Sequence, residues 1–235
     1  MAVHRVLCYG DSNTAGFHSA GRGYEPYANT LAVELARLGF DDCKVRHDGL
    51  SGLTAETMAS QISSPKILDI AGCSHTGLSV HLESEAKPDL VILMVGTNDL
   101  LYGQSPEQTM KNVIRLHKMC HSKGVATIAL APPQVLFGGL RQKRNRLASL
   151  LKEWSQRQSS NEVIHYADAE DLVPRNPSGL WEPDQFHFSA HGSRELGRRL
   201  AEQLAKMWQE GEEPNGKATI ARPLWLVLES LLGQN

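Results

Sequence analysis

Val6-Leu7-Cys8-Tyr9 runs without interruption into Gly10-Asp11-Ser12-Asn13-Thr14-Ala15-Gly16. Four apolar residues in a row lack the alternation of a half-buried strand, so they read as a strand covered on both faces. The turn that follows is built of glycine and small polar residues and presents a hydroxyl at the carboxyl end of the strand. Open α/β sheets hold their reactive groups and ligands at that edge. Taken alone, Ser12 is a helix cap or turn residue as readily as a nucleophile. The remainder of the chain separates the two readings.

Working outward, Leu90-Val91-Ile92-Leu93-Met94-Val95 repeats the same unbroken apolar pattern. Strands are expected over 5–9, 44–46, 90–95, 126–130 and 162–166. Helices are expected between them, over 27–38, 54–61, 79–86, 106–121, 142–158 and 189–209. Pro106 suits a first helical turn, and Val113, Leu116 and Met119-Cys120 recur at helical spacing. Regular alternation of the two element types argues a mainly parallel five-stranded sheet with helices on both faces, joined by right-handed crossovers. The segment 66–77 reads as a loop.

Residues 1–210 form the expected domain, with 211–235 as a C-terminal extension. That extension passes through Glu212-Glu213-Pro214-Asn215-Gly216 and turns apolar at Leu224-Trp225-Leu226-Val227-Leu228 and Leu231-Leu232. Burying each of those large side chains is worth roughly 1.5–3 kcal/mol. The extension is therefore expected to pack on its own domain or on a partner subunit, as a homodimer contact. A membrane-surface role is the weaker alternative, because the segment is short and poorly basic.

The bulk composition excludes several classes. Hydrophobic residues are 41%, charged residues 21%, and the formal net charge of the 235 residues is -2. Nothing there suggests nucleic-acid binding. The basic run Arg141, Lys143, Arg144 and Arg146 reads as the solvated start of a helix or, alternatively, as a reader of substrate charge. Cys8, Cys43, Cys73 and Cys120 show no Cys-x-x-Cys spacing, so neither a zinc site nor a disulfide framework is expected. Apolar stretches are strand-length, which argues against stable membrane insertion. The first strand begins within a few residues of Met1, so no signal peptide is expected and the reading is cytoplasmic.

Three further segments supply what a serine nucleophile lacks: a base, a group to orient it, and donors for an oxyanion. In Glu182-Pro183-Asp184-Gln185-Phe186-His187-Phe188-Ser189, Asp184 and His187 stand three apart before a long helix. One tight turn lets the carboxylate accept from Nδ1–H while Nε2 faces the serine; a surface pair is the plainer reading. Ser189 suits the N-cap of the helix that follows. In Gly96-Thr97-Asn98-Asp99, the Asn98 amide is a neutral donor near the same sheet edge, and Asp99 caps or stitches the loop. In Asp48-Gly49-Leu50-Ser51-Gly52-Leu53-Thr54, the Gly52 N–H is a second candidate donor, though a glycine there serves equally as a turn.

These segments together resemble the four blocks of the SGNH hydrolase family, the GDSL-type esterases and lipases. Gly10-Asp11-Ser12 corresponds to the nucleophile block, with Asn13 where many members carry leucine. Gly52 corresponds to the glycine block, Gly96-Thr97-Asn98-Asp99 to the asparagine block, and Asp184-Gln185-Phe186-His187 to the aspartate–histidine block. The order is preserved and the resemblance spans about residues 3–209. It implies Ser12 as nucleophile, His187 as base and Asp184 as its partner. It implies an oxyanion hole of the Ser12 and Gly52 N–H groups with the Asn98 amide, and no cofactor. It also implies a three-layer α/β/α flavodoxin-like fold. No Gly-x-Ser-x-Gly elbow surrounds Ser12, so the α/β-hydrolase pattern is absent.

The expected chemistry is hydrolysis of a small-molecule carboxylic ester through an acyl-enzyme, with short acyl groups favoured because the loops 66–77, 132–142 and 173–183 are compact. Asn13, Val135, Phe137, Trp181 and Phe186 are the candidates to line the substrate site, with core or loop packing as the alternative. Acyl transfer to an alcohol, or carbohydrate deacetylation, would use the same groups; a lysophospholipase or thioesterase activity is a more distant variant. Two rivals of other classes are a metal-dependent hydrolase using Asp184, His187 and His191, and a non-catalytic binding protein.

Overall fold

The computed structural model describes residues 4–136, 138–159, 162–176 and 179–210. Strand β1 (Arg5–Gly10) leads through Asp11 into the single-turn helix α1 (Ser12–Ala15). A ribbon of β2 (Phe17–His18) and β3 (Gly23–Tyr24) precedes α2 (Tyr27–Arg37) and β4 (Lys44–Gly49). Next come α3 (Ala55–Ser60), a second ribbon of β5 (Ile67–Leu68) and β6 (Ser74–His75), α4 (Leu78–Glu83) and β7 (Leu90–Met94). The second half contains α5 (Thr97–Leu101), α6 (Pro106–Ser122), β8 (Ala126–Ala131) and α7 (Leu140–Ser155). It closes with β9 (Val163–Asp168), α8 (Ala169–Leu172) and α9 (Ala190–Gln209). The extension 211–235, with its expected packing or dimer contact, lies outside the described residues.

Five strands form one parallel sheet in the order β4-β1-β7-β8-β9. Alternate side chains divide the core into two layers. Leu7, Tyr9, Val91, Leu93 and Ala129 meet Met58, Leu82, Leu116 and Leu147 of α3, α4, α6 and α7. Val6, Cys8, Leu90, Ile92 and Ile128 meet Leu31, Leu35, Leu196 and Leu200 of α2 and α9. Helices thus cover both faces of the sheet in a three-layer α/β/α arrangement, and every residue of β7 and β8 is buried. This is why both read as unbroken apolar runs.

The order of strands reverses between β1 and β7, and the crevice beyond their carboxyl ends is the natural ligand position of such a sheet. Gly10 closes β1 at that point. A Cβ there would lie 2.2 Å from the Met94 carbonyl oxygen and 2.3 Å from Thr14 Oγ1. Only glycine lets the two strand ends and α1 come so close.

The elements differ from the sequence reading in instructive places. The expected strand 44–46 extends to Gly49, with Cys8 opposite His47 and Tyr9 opposite Asp48. Strand β4 is a sheet edge, where backbone pairing proceeds under exposed Lys44, Arg46 and His47 side chains. The segment 66–77, read as a loop, contains the β5–β6 ribbon. Helices α1, α5 and α8 have only four or five residues, too few for a helical period to register. Thr54, placed inside an expected helix, is its N-cap, its hydroxyl accepting from the Thr57 N–H; Ser189 caps α9 as expected, accepting from the Gly192 N–H. Among the described residues no helix is long and apolar enough to cross a membrane.

Candidate active site

Ser12 is the first residue of α1, and the geometry of a helix start defines its surroundings. The carboxylate of the N-cap Asp11 accepts from the Asn13 N–H at 3.1 Å, and the Asp11 carbonyl accepts from Thr14 and Ala15. A helix leaves its first N–H groups without intrahelical acceptors, so the Ser12 N–H stays available at the strand end. Asp11 itself is fully buried. Desolvation pushes its carboxyl up to about 6, against the bond from the Asn13 N–H.

Ser12 Oγ lies 2.8 Å from His187 Nε2, and His187 Nδ1 lies 2.8 Å from Asp184 Oδ2. A carboxylate can only accept, so Nδ1 carries the proton and Nε2 is the acceptor facing the serine hydroxyl. The Asp184–His187 turn is self-supporting, since Asp184 Oδ1 accepts from the N–H groups of Phe186 (3.1 Å) and His187 (3.0 Å). Burial opposes the charge on Asp184, but the His187 ring and those two N–H groups outweigh it and hold the carboxyl below its usual range. The turn requires Gln185 at φ +65, a left-handed conformation uncommon outside glycine and asparagine.

External contacts fix the turn. Arg175 Nη1 donates to the Gln185 carbonyl at 2.9 Å, while its guanidinium lies 3.7 Å from the centre of a Trp181 ring. Glu182 Oε2 accepts from the Ser19 N–H at 2.9 Å. The rings of Phe17 and Phe186 flank His187, with centroids 4.6 and 4.2 Å away.

Opposite His187, the loop after β4 presents Gly52 at φ +74. A Cβ there would stand 2.3 Å from Ile70 Cδ1, so the loop needs glycine for its conformation and for the approach of Ile70. The β5–β6 ribbon is bound to this loop. Asp69 Oδ2 accepts from the Ser51 N–H at 3.2 Å, and the Ile70 N–H donates to the Ser51 carbonyl at 3.2 Å. Asp48 anchors the ribbon from the end of β4: its two oxygens meet His75 Nδ1 at 2.5 Å and His81 Nε2 at 2.7 Å. Those two rings outweigh the burial of Asp48 and hold its carboxyl below its ordinary range.

The turn after β7 supplies Asn98, whose Nδ2 donates to the Leu53 carbonyl at 2.9 Å. Its neighbour Asp99 stitches the loops together, as its position in the sequence suggested. Asp99 Oδ2 accepts from Ala55 N–H at 2.7 Å, at the start of α3. Ser12, His187, Gly52 and Asn98 open on one cavity of about 360 Å³, walled by Phe17, Ile70, Ala71, Leu101, Tyr102 and Phe186.

The structure therefore brings together all five residues expected to carry chemistry, with Asp184 reaching the group through His187. The expected substrate-lining residues fare differently. Phe186 lines the cavity. Asn13 does not; it is buried and its carboxamide is committed to the backbone of Phe186 and Phe188. Val135 is a core residue at 1% exposure, and Trp181 is held between Arg175 and Phe188, away from the cavity. Phe137 lies outside the described residues. His191 is exposed on α9 and does not join Asp184 and His187; among the described residues no group of three or more histidine, cysteine or acidic side chains is arranged to hold a metal.

Phe17, Ile70, Leu101 and Tyr102 escaped the sequence reading. Leu101 and Tyr102 carried a usable signal, because three and four residues beyond Asn98 they fall on its side of a helix. Phe17 and Ile70 lie on or beside two-residue ribbon strands, which leave no periodic trace.

Comparison with known proteins agrees with this fold. A carbohydrate acetylesterase family member from Sinorhizobium meliloti superposes with a TM-score of 0.65 at 23% identity, covering 88% of this chain and 99% of that one. The psychrotrophic esterase EstA from Pseudoalteromonas sp. gives 0.63 at 18%, with coverage of 88% and 99%. The lipase/acylhydrolase from Enterococcus faecalis gives 0.60 at 21%, with coverage of 86% and 96%. At these identities the likeness is one of fold. Among curated proteins no relative matches the chain. The sequence profile of the GDSL-like Lipase/Acylhydrolase family, by contrast, matches residues 8–195, a span running from β1 into α9 and containing every site residue named above. With that match across most of its length, the chain belongs to the GDSL-like lipase/acylhydrolase family of SGNH-type ester hydrolases.

Proposed function

We propose that the protein is a serine esterase that hydrolyses small or short-acyl carboxylic esters through an acyl-enzyme on Ser12. The observation that carries this reading is the relay Ser12–His187–Asp184, two contacts of 2.8 Å ending on a cavity with an apolar wall. Ser12 Oγ attacks the ester carbonyl carbon as its proton passes to His187 Nε2. The carbonyl oxygen gains the charge, which the N–H groups of Ser12 and Gly52 and the Asn98 amide stabilise. Collapse breaks the bond to the alcohol, which leaves with the proton from His187. Water then attacks the acyl-enzyme, giving a proton to His187, and the carboxylic acid departs as Ser12 recovers that proton from His187. Asp184 keeps Nδ1 protonated and supports the imidazolium that forms twice per cycle.

The cavity volume of about 360 Å³ sits near the lower end for small-molecule sites. Aromatic walls from Phe17, Tyr102 and Phe186 suit a compact acyl or aryl group more than an extended chain. A series of p-nitrophenyl esters from acetyl to palmitoyl tests this: kcat/KM is expected to peak among the shortest acyl groups, and a maximum at palmitoyl would overturn the size assignment. Adding an alcohol to the same assays separates hydrolysis from acyl transfer, because the apolar wall also favours an alcohol acceptor over water.

A further inference from the structure

We propose that Asn13 is a positioning residue for the catalytic base, setting the reach of His187 to Ser12 by clamping the backbone on both sides of it. The inference rests on the triad reading above. Asn13 Nδ2 donates to the Phe186 carbonyl at 3.2 Å, and Asn13 Oδ1 accepts from the Phe188 N–H at 3.3 Å. One carboxamide thus offers the donor–acceptor pair that a neighbouring strand would offer, straddling the single residue His187. Asn13 is 1% exposed, and its bond to the Phe188 N–H is buried while that to the Phe186 carbonyl is partly buried.

The position of this clamp distinguishes it from the other supports of the turn. The Asp184–His187 bonds are internal to the turn; they orient the imidazole within it but say nothing about its distance from the nucleophile. Arg175 and Glu182 grip the turn at Gln185 and at Glu182 itself, and neither contact reaches α1. Asn13 follows Ser12 directly on α1, and its own N–H is fixed by Asp11. Asn13 therefore ties the helix bearing the nucleophile directly to the residues on either side of the base. A misplacement of about 1 Å at such a distance is enough to cost on the order of a hundredfold in rate.

A double-mutant cycle tests the assignment. Asn13→Leu removes both bonds at similar volume. With a short-acyl ester it is expected to lower kcat by about tenfold to a hundredfold while KM stays within about twofold. In the His187→Ala background, Asn13→Leu is expected to leave the residual rate unchanged, because there is no imidazole left to position. An undiminished loss in that background, an unaltered kcat in Asn13→Leu, or a rise in KM alone would overturn the clamp. If His187→Ala retains full activity, the triad reading falls and the clamp with it, a result distinct from any of the former three. Should Asn13→Leu fail to fold, Asn13→Ala enters the same cycle, and hydrogen exchange in the unaltered protein gives an independent check. There the Phe188 N–H is expected to be protected; exchange as fast as that of an open loop amide would overturn the proposal.

Discussion

Asn98 Nδ2 donates to the Leu53 carbonyl at 2.9 Å, tying the turn after β7 to the loop after β4 one residue beyond Gly52. An amide nitrogen has two hydrogens, so this bond fixes the plane of the carboxamide and leaves the second hydrogen for a ligand in the cavity that Asn98 lines. Gly52 and Asn98 are therefore held as one unit. Donors fixed in advance stabilise developing charge without reorganising at the moment of reaction, which is where such groups gain their effect.

Asn98→Ala should cost roughly 2.7–4 kcal/mol of transition-state stabilisation, expressed in kcat. Steady-state kinetics on an acetyl ester measure it, with circular dichroism as a control on folding. An unchanged kcat would remove Asn98 from the oxyanion hole.

Gly52→Ala should reduce both stability and turnover. The left-handed φ of +74 costs an alanine roughly 1–2 kcal/mol, and the new Cβ displaces Ile70 or shifts the loop N–H. Urea denaturation and kcat are the measurements. Wild-type values of both would mean that the loop tolerates a side chain there and that its geometry is not critical.

Asp184→Asn retains the shape of the turn but removes the acceptor that fixes the His187 tautomer. A loss in kcat between about 10² and 10⁴ is expected, the lower part of that range reflecting the partial exposure of Asp184 to solvent. Steady-state kinetics with a KM control check this. A loss smaller than about threefold would place the orienting role elsewhere.

Asp11 gives the fold a specific pH dependence. Its carboxyl titrates near 6 in the fold against an ordinary 3.8, so between those values the folded chain binds more protons than the unfolded one. Stability from this group is then lost as pH rises through that window, by up to about 3 kcal/mol in total. Asp11→Asn keeps an acceptor for the Asn13 N–H and abolishes the titration. Denaturation at pH 4 and pH 7 should show the variant gaining on the wild type with rising pH, and a constant difference would contradict the account.

Much of this site was legible because strand ends are. The runs closing at Gly10 and before Gly96 are buried on both faces, so sequence alone located the crevice between β1 and β7. Asp184 and His187 were legible because three-residue spacing closes one turn. Asn13 was misread as a substrate contact, since nothing in a linear sequence shows that a side chain beside the nucleophile faces the backbone of residues 186 and 188. Trp181 was misread for a similar reason: its aromatic character suited a pocket, while its ring packs against Arg175 and Phe188. Phe17 and Ile70 depend on local ribbons of two-residue strands, too short to leave a periodic pattern in the sequence.

The most direct test of the account is covalent labelling with a fluorophosphonate probe, followed by peptide mapping by mass spectrometry. A single adduct on Ser12 is expected to accumulate in step with loss of esterase activity, with no adduct in a folded Ser12→Ala variant. An adduct on a different residue, or full ester hydrolysis by Ser12→Ala, would contradict it.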